Sequence, residues 1–270
     1  PGRPSMYETT YHKAGSVAEA ASLMASADDG KFLGGGQTLL PTMKQRLAAP
    51  SDLVDVTKIA DMNGISANGD GVTIGAATSH FEVSTSDLVK QKLPGLASLA
   101  GGIGDPAVRH MGTIGGSIAN NDPAADYPAA LVALGATVVT SKRELAAEEF
   151  FTGMFETALD EDEIVVAVKF PGAAASAYAK YPNPASRYAM AGVFVAKGND
   201  GSVKVAVTGA GQGGVFRMSA METALASNFS ADAVAGIAPD ADDLLSDIHG
   251  SAAYRANLVT VMAKRAVQKA

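Results

Sequence analysis

Residues 101–134 read GGIGDPAVRHMGTIGGSIANNDPAADYPAALVAL, and how this stretch is read decides the fold. Glycines at Gly112, Gly115 and Gly116 predict a turn-and-bend segment. A polar loop (Asn120, Asn121, Asp122, Pro123) and then an apolar helix follow. Glycine tolerates positive φ and lets a ligand come within reach of bare backbone amides. Asp126 followed by Pro128 is a helix-start signature, because Pro supplies a preset φ where no amide partner exists. A diphosphate would sit well on such a run of amides, which neutralise charge without a desolvated lysine. From this stretch alone, a plain Gly-rich turn before a helix reads equally well.

A second stretch tilts that balance. Residues 31–47 read KFLGGGQTLLPTMKQRL: a short apolar piece (Phe32, Leu33), three glycines, then Thr38 opening an amphipathic helix with Pro41 in its first turn. Strand, Gly-rich turn and helix start together look like a nucleotide-phosphate cradle. The spacing is neither G-x-G-x-x-G nor G-x-x-x-x-G-K-[ST]. Two such loops in one chain, neither of Rossmann form, suggest a dinucleotide gripped from both sides.

Composition narrows the chemistry. The chain has 270 residues, enough for two or three small domains sharing a core, with 47% hydrophobic residues, 18% charged and a net charge of -7. An acidic balance argues against nucleic acid, whose phosphates need a basic footprint. No stretch approaches the ~18 consecutive apolar residues of a membrane span. Cysteine is absent, so the chain can ligate no iron–sulfur cluster, form no disulfide and anchor no flavin through sulfur. The four histidines (His12, His80, His110, His249) lack the spacing of a helical metal site. Redox chemistry, if any, must come from a bound organic cofactor. No catalytic dyad or triad is evident.

Along the chain, Pro1–Ser5 precede Met6 and read as a cloning remnant outside the fold. Residues 6–60 predict a small α/β unit. It has strands at 7–12, 32–33 and 53–56, a Ser16/Glu19 capping box before AEAASLMAS, and the helix from Thr38. Residues 61–172 predict strands at 71–75, 136–140 and 163–170, a short helix FEVSTSDLV capped by Thr78 or Ser79, and a helix at 93–100. Pro171, Gly172 and the Ala/Ser run after them mark a boundary. Residues 173–270 predict paired strands at 186–197 and 203–209 around an Asn199-Asp200-Gly201 turn. Helices follow at 218–226, 231–237 and 251–268.

Three segments in order, LGGGQTLLPTMK (33–44), GTIGGSIANNDPAADYPAAL (112–131) and KYPNPASRYAMAGV (180–193), resemble the FAD-binding medium subunit of molybdenum hydroxylases. That family includes the flavoprotein subunit of aerobic carbon monoxide dehydrogenase and the flavin domain of xanthine dehydrogenase. The resemblance runs from Met6 onward. It implies an α+β architecture: a two-subdomain FAD-binding fold of the vanillyl-alcohol-oxidase/PCMH type (6–60 and 61–172). A C-terminal domain (173–270) of three strands and a small helix bundle completes it.

The resemblance also assigns residues. Leu33, Gly34, Gly35, Gly36, Gln37, Thr38 and Leu39 would wrap the FAD diphosphate, with Thr38 adding a hydroxyl. Many relatives carry His at the position of Gln37, but a glutamine amide still donates. Thr113, Ile114, Gly115 and Gly116 would form the second diphosphate grip, with Ser117 and Asn120 as further polar contacts. Asp126 would accept a hydrogen bond from the cofactor as well as capping the helix. Ile103 and Ile164 would pack near the isoalloxazine, where ordinary core packing is the competing account. Lys180 would bring a cation to the pyrimidine end, and Tyr188 would cover a ring face. His110, where many relatives carry Asn, reads as a surface or loop residue and not as a covalent flavin anchor.

The implied role is the FAD-binding electron-transfer subunit of a cytoplasmic heterotrimeric molybdenum hydroxylase, as a dimer of heterotrimers. FAD would be non-covalent. Molybdopterin and [2Fe–2S] clusters would sit on partner subunits, and substrate choice on the molybdenum subunit. The alternatives are a free-standing flavin oxidase or dehydrogenase of the vanillyl-alcohol-oxidase-like superfamily, and a nucleotide-binding scaffold without redox work.

Overall fold

The computed structural model describes residues 7–270, so the remnant assigned to residues 1–5 lies outside the described residues. The first sheet is parallel and small: β1 (Thr10–Lys13), β2 (Gly30–Leu33) and β3 (Asp52–Asp55), with β3 in the middle. Parallel neighbours need crossovers, supplied by α1 (Val17–Ser26) and α2 (Leu39–Lys44). Ser16 caps α1, its hydroxyl accepting from the Glu19 amide at 3.1 Å. The return bond of the expected capping box lands one residue early, on the Gly15 amide at 2.7 Å.

The second sheet is antiparallel, in the order β4 (Ile65–Asn68), β5 (Gly71–Gly75), β10 (Val165–Phe170), β6 (Thr137–Thr140) and β7 (Glu144–Ala146). Between β5 and β6 the chain winds through six short helices: α3 (His80–Thr85), α4 (Asp87–Lys92), α5 (Pro94–Gly101), α6 (Pro106–Met111), α7 (Ile114–Asn120) and α8 (Tyr127–Leu134). The segment FEVSTSDLV is two helices and not one. Ser79 closes a full capping box with Glu82, and Ser86 breaks the chain and caps α4. The glycines at 115 and 116 lie in the first turn of α7 and not in a turn ahead of a loop, because Thr113 starts a helix there. The helix α9 (Ala147–Phe150) and the hairpin β8 (Phe151–Gly153)/β9 (Glu156–Thr157) complete this part.

The third sheet is antiparallel: β11 (Ala173–Pro182), β12 (Ala189–Gly198), β13 (Val203–Thr208) and a two-residue β14 (Phe216–Arg217). The Ala/Ser run expected as a boundary is thus the start of a ten-residue strand. Its small residues have a packing reason. Helix α5 crosses so close that a Cβ at Gly95 would stand 2.8 Å from the Ala177 amide nitrogen, and Ser176 accepts a bond from the Gly95 amide.

Alternation along these strands divides two cores. Tyr178, Phe194, Ala196 and Ala206 join the core that holds the first two sheets and α5, α7 and α8. Val193, Val195, Val205 and Val207 face α10 (Ser219–Ser227) and α11 (Ala252–Lys269). Helix α8 is buried at every position, as a helix with sheet on one side and helices on the other must be. The segment 231–237 forms only a short 3-10 turn, Ala231–Val234. Among the described residues no helix is long and apolar enough to cross a membrane.

One polar group ties the second core together. Arg255 of α11 is buried and donates to the carbonyls of Met190 at 2.7 Å and Gly209 at 2.9 Å, and to Asp247 at 2.7 Å. Arg255→Met keeps the volume and removes the donors. We expect it to cost about 2–3 kcal/mol, since two buried carbonyls lose their partners while Asp247 can turn to water. The check is a lower urea midpoint at unchanged m.

Candidate functional site

The two glycine stretches meet. A Cβ at Gly35 would lie 1.9 Å from the Met111 carbonyl oxygen and 2.7 Å from Gly112 Cα, and one at Gly34 would lie 2.9 Å from Thr113 Oγ1. Backbone therefore packs on backbone between the end of β2 and the α6–α7 junction. Gly36, at φ +68°, turns the chain out of β2 towards α2. Among the described residues the amides of Gly34, Gly35, Gly36, Gln37 and Thr38 donate to nothing in the chain. The Gln37 side chain donates to the Gly35 carbonyl at 3.1 Å. Thr38 stands at the N-cap position of α2 with its side chain exposed and making no capping bond.

The second loop is built the other way. The Ile114 amide donates to the Thr78 carbonyl at 3.1 Å and the Gly115 amide to the Ala76 carbonyl at 2.8 Å. The Gly116 amide donates to Thr113 Oγ1 at 3.1 Å and the Ser117 amide to the Thr113 carbonyl at 3.0 Å. These four amides are committed to the protein, so this wall offers shape and the hydroxyls of Thr113 and Ser117. Gly115 is a glycine for packing: its Cβ would stand 2.6 Å from Ala76 Cβ at the end of β5. Ile114 is fully buried in the core.

Between the loops lies a cleft of about 700 Å³, a size usual for cofactor sites. Every residue expected at the site from sequence lines it, apart from Ile114 and Lys180. Ile103 stands half-exposed at its wall, its carbonyl held by Arg109 at 3.0 Å, and Ile164 is buried just ahead of β10. Tyr188 is 46% exposed beside Arg187, which holds a left-handed φ of +64°. Burial, with Asp122 and Asp126 nearby, raises the Tyr188 hydroxyl above its ordinary pKa.

Asp126 occupies the position before α8 in helical conformation and caps nothing. Its carboxylate, 5% exposed, accepts from Tyr178 Oη at 2.5 Å and from Lys180 Nζ at 3.0 Å. Lys180 also donates to the Gly102 carbonyl at 2.9 Å. The lysine expected at the cofactor thus sits behind a carboxylate that lines the cleft itself. Burial pushes the Asp126 carboxyl up, against the pull of Lys180 and Tyr178.

Several lining residues carry no sequence signal of their own. His80 follows Ser79, one of the two caps read for this helix, but only the fold turns the imidazole to the cleft. Burial and then Arg109 push it down to about 4, so it is neutral, and its Nδ1 has no partner among the described residues. Burial would raise the Glu163 carboxyl, but Arg143 and Thr140 outweigh it and hold it at about 2. Ser186 and Arg187 are among the other lining residues not assigned to the site from sequence, and Gly112 and Asp122, read there only as turn and loop residues, line it too. His110 lies outside the cleft wall, exposed and stacked on Phe81 at 4.1 Å.

Comparison with known proteins places the whole chain in a family. Residues 6–173 match the family described as FAD binding domain in molybdopterin dehydrogenase. The chain is 34% identical to the carbon monoxide dehydrogenase medium chain of Hydrogenophaga pseudoflava, covering 96% of both chains. It is 33% identical to the glyceraldehyde dehydrogenase medium chain of Sulfolobus acidocaldarius, covering 97% of this chain and 98% of that one. Among solved structures, carbon monoxide dehydrogenase from Hydrogenophaga pseudoflava superposes with a TM-score of 0.86 at 34% identity, covering 99% and 98% of the two chains. Quinoline 2-oxidoreductase from Pseudomonas putida 86 gives 0.87 at 27% identity, again covering 99% and 98%.

The loop contact sets a stability test. Gly35→Ala drives a methyl into the Met111 backbone and should cost about 2–3 kcal/mol by overpacking. Gly213→Ala, where a Cβ meets nothing within 4 Å, should cost under about 0.5 kcal/mol. Thermal melts of the two variants check this; equal melting temperatures would show the loops do not touch.

Proposed function

The chain belongs to the FAD-binding domain family of molybdopterin dehydrogenases, and from that premise we propose that it is the FAD-binding electron-transfer subunit of a heterotrimeric molybdenum hydroxylase. The observation that carries this reading is the row of uncommitted amides from Gly34 to Thr38, facing a glycine-walled helix start across the cleft. A dinucleotide diphosphate needs such donors and needs no metal or buried lysine at that point. The fit is steric too: side chains at Gly34 or Gly35 would run into the opposite wall, one at Gly112 would run into His80, and Gly116 keeps the cleft side of α7 bare.

In this reading the Gly34–Leu39 loop binds the diphosphate, with Gln37 free to turn its amide from the Gly35 carbonyl to the cofactor. Thr113, Ser117 and Asn120 add polar contacts. Ile103, Ile164 and Tyr188 exclude water around the ring, and Asp126 orients it by accepting a hydrogen bond. Lys180 compensates the charge of that carboxylate. When bound, FAD supplies two-electron storage with one-electron exchange, the property that suits it to the end of a relay of single-electron centres. Electrons would come from iron–sulfur clusters on a small subunit, fed by molybdopterin on a large one, and would leave to an external acceptor. The assembly would be a dimer of heterotrimers in the cytoplasm.

The fold is read in the same terms. The first sheet (to residue 60) and the second (61–172) form the two halves of a vanillyl-alcohol-oxidase/PCMH-type FAD fold, and residues 173–270 the C-terminal domain. The cleft supports this division, since most of its wall comes from the first two sheets and their helices, with Ser186, Arg187 and Tyr188 added from the loop before β12. Exposed Phe81 and Met111, beside the Gly112 wall, are suited to an apolar partner surface.

Two outcomes are expected. Purified with its partner subunits, the protein should show a flavin spectrum, and acid precipitation should release all of that flavin into the supernatant; yellow colour on the pellet would contradict non-covalent binding. The chain alone should turn over no organic hydroxylase substrate, whereas adding both partner subunits should let substrate bleach the flavin. Turnover by the chain alone at about 1 per second or more would favour the free-standing oxidase.

A further inference from the structure

The wall of the cleft at residues 123–126 is held from behind by the third sheet. Thr208 Oγ1 donates to the Ala125 carbonyl at 2.5 Å, and the Gly209 amide donates to the Pro123 carbonyl at 2.8 Å. Asp126 is held by two residues of β11, Tyr178 and Lys180. Spaced two apart on a strand, these side chains share a face.

The sheet makes room for the phenol. Lys180, Gly192 and Thr208 lie in one cross-strand row, on β11, β12 and β13. A Cβ at Gly192 would stand 2.1 Å from Tyr178 Oη and 3.0 Å from Thr208 Cγ2. The phenol oxygen therefore occupies the space that a side chain at 192 would fill, with its ring stacked over Phe194 at 6.2 Å. A tyrosine oxygen that served only packing would not need a glycine opposite it, nor point at a buried carboxylate.

We propose that Tyr178 is a positioning residue for the cofactor: its phenol, seated over Gly192, holds the Asp126 carboxylate as a hydrogen-bond acceptor facing the bound flavin. The inference rests on the FAD reading above and adds a residue that does not line the cleft. Lys180 supplies charge to Asp126 but reaches it on a flexible stem and is shared with the Gly102 carbonyl. Tyr178 supplies direction. The other titratable groups around Asp126 are Tyr127 on α8, Tyr188 in the loop before β12, and Asp122.

The sign of the pH effect follows. The phenol donates to the ionised carboxylate and so favours it over the acid form. Removing the hydroxyl raises the Asp126 pKa, so an interaction needing the carboxylate is lost at higher pH than in the parent protein.

The test is FAD affinity against pH, read from the fluorescence of released flavin, in the full chain assembled with its partner subunits. Tyr178→Phe keeps the ring and should weaken FAD binding roughly tenfold or more at neutral pH, the scale of one hydrogen bond to a charged group. The acid limb of its profile should also move to higher pH. Gly192→Ala, which displaces the phenol without altering it, should give the same displaced limb and keeps the test available if Tyr178→Phe folds poorly. In an Asp126→Asn background, Tyr178→Phe should leave the pH profile unchanged.

Parent-like affinity and profile in folded Tyr178→Phe or Gly192→Ala would overturn the positioning role. So would a melting-temperature loss with no change in profile, which marks a purely structural tyrosine. Absence of FAD from the parent protein would instead overturn the FAD reading on which the proposal stands.

Discussion

The approach of Gly35 to the Met111–Gly112 backbone is the contact on which the site depends. It brings the end of a parallel strand against the junction of α6 and α7, which belong with a different sheet, with no side chain between them. Side chains on both sides would hold the segments apart, and a gap would leave the cleft without a floor. Glycine is costly in an unfolded chain, because it has more freedom to lose. Here that cost is offset by a backbone approach that no other residue allows.

The two walls that this contact joins are chemically unlike. On the Gly34–Thr38 side the turn at Gly36 leaves a row of amides without acceptors in the chain, and unpaired amides partly sequestered from water favour an anionic guest. On the Thr113–Ser117 side the amides are spent on Ala76, Thr78 and Thr113, which fixes the helix rigidly against β5. One wall donates and the other gives shape. Rigidity on the second side holds the first open, since the donors face a surface that cannot collapse onto them.

The third sheet takes part from outside the cleft. Its apolar residues are shared between two cores, so α8 and the loop before it are clamped by β12 and β13 while α10 and α11 cover the far face. Its polar residues reach through to the same loop, with Thr208, Gly209, Tyr178 and Lys180 all ending on residues 123–126. A buried carboxylate such as Asp126 is tolerable only because a cation and a phenol meet it there.

What the sequence determined by itself were features written in local residue order. The glycine turn at 34–36, the strand at 71–75 and a helix start at Thr78 or Ser79 are legible because φ freedom, period-two alternation and capping act over a few residues. The three motifs that carry the resemblance also supply much of the lining of the cleft. Tertiary structure decided the rest. The Ala/Ser run after Gly172 reads as a boundary until α5 lies across it, with Gly95 against the backbone of Ser176 and Ala177. Thr113–Gly116 reads as a loop until Thr78 and Ala76 accept its amides and a helix starts there. Lys180 reads as a cofactor contact until Asp126 is folded in front of it, and His80 reads as nothing until its helix turns it inward. In each case the deciding partner is distant in the chain, and packing against it outweighs the local preference.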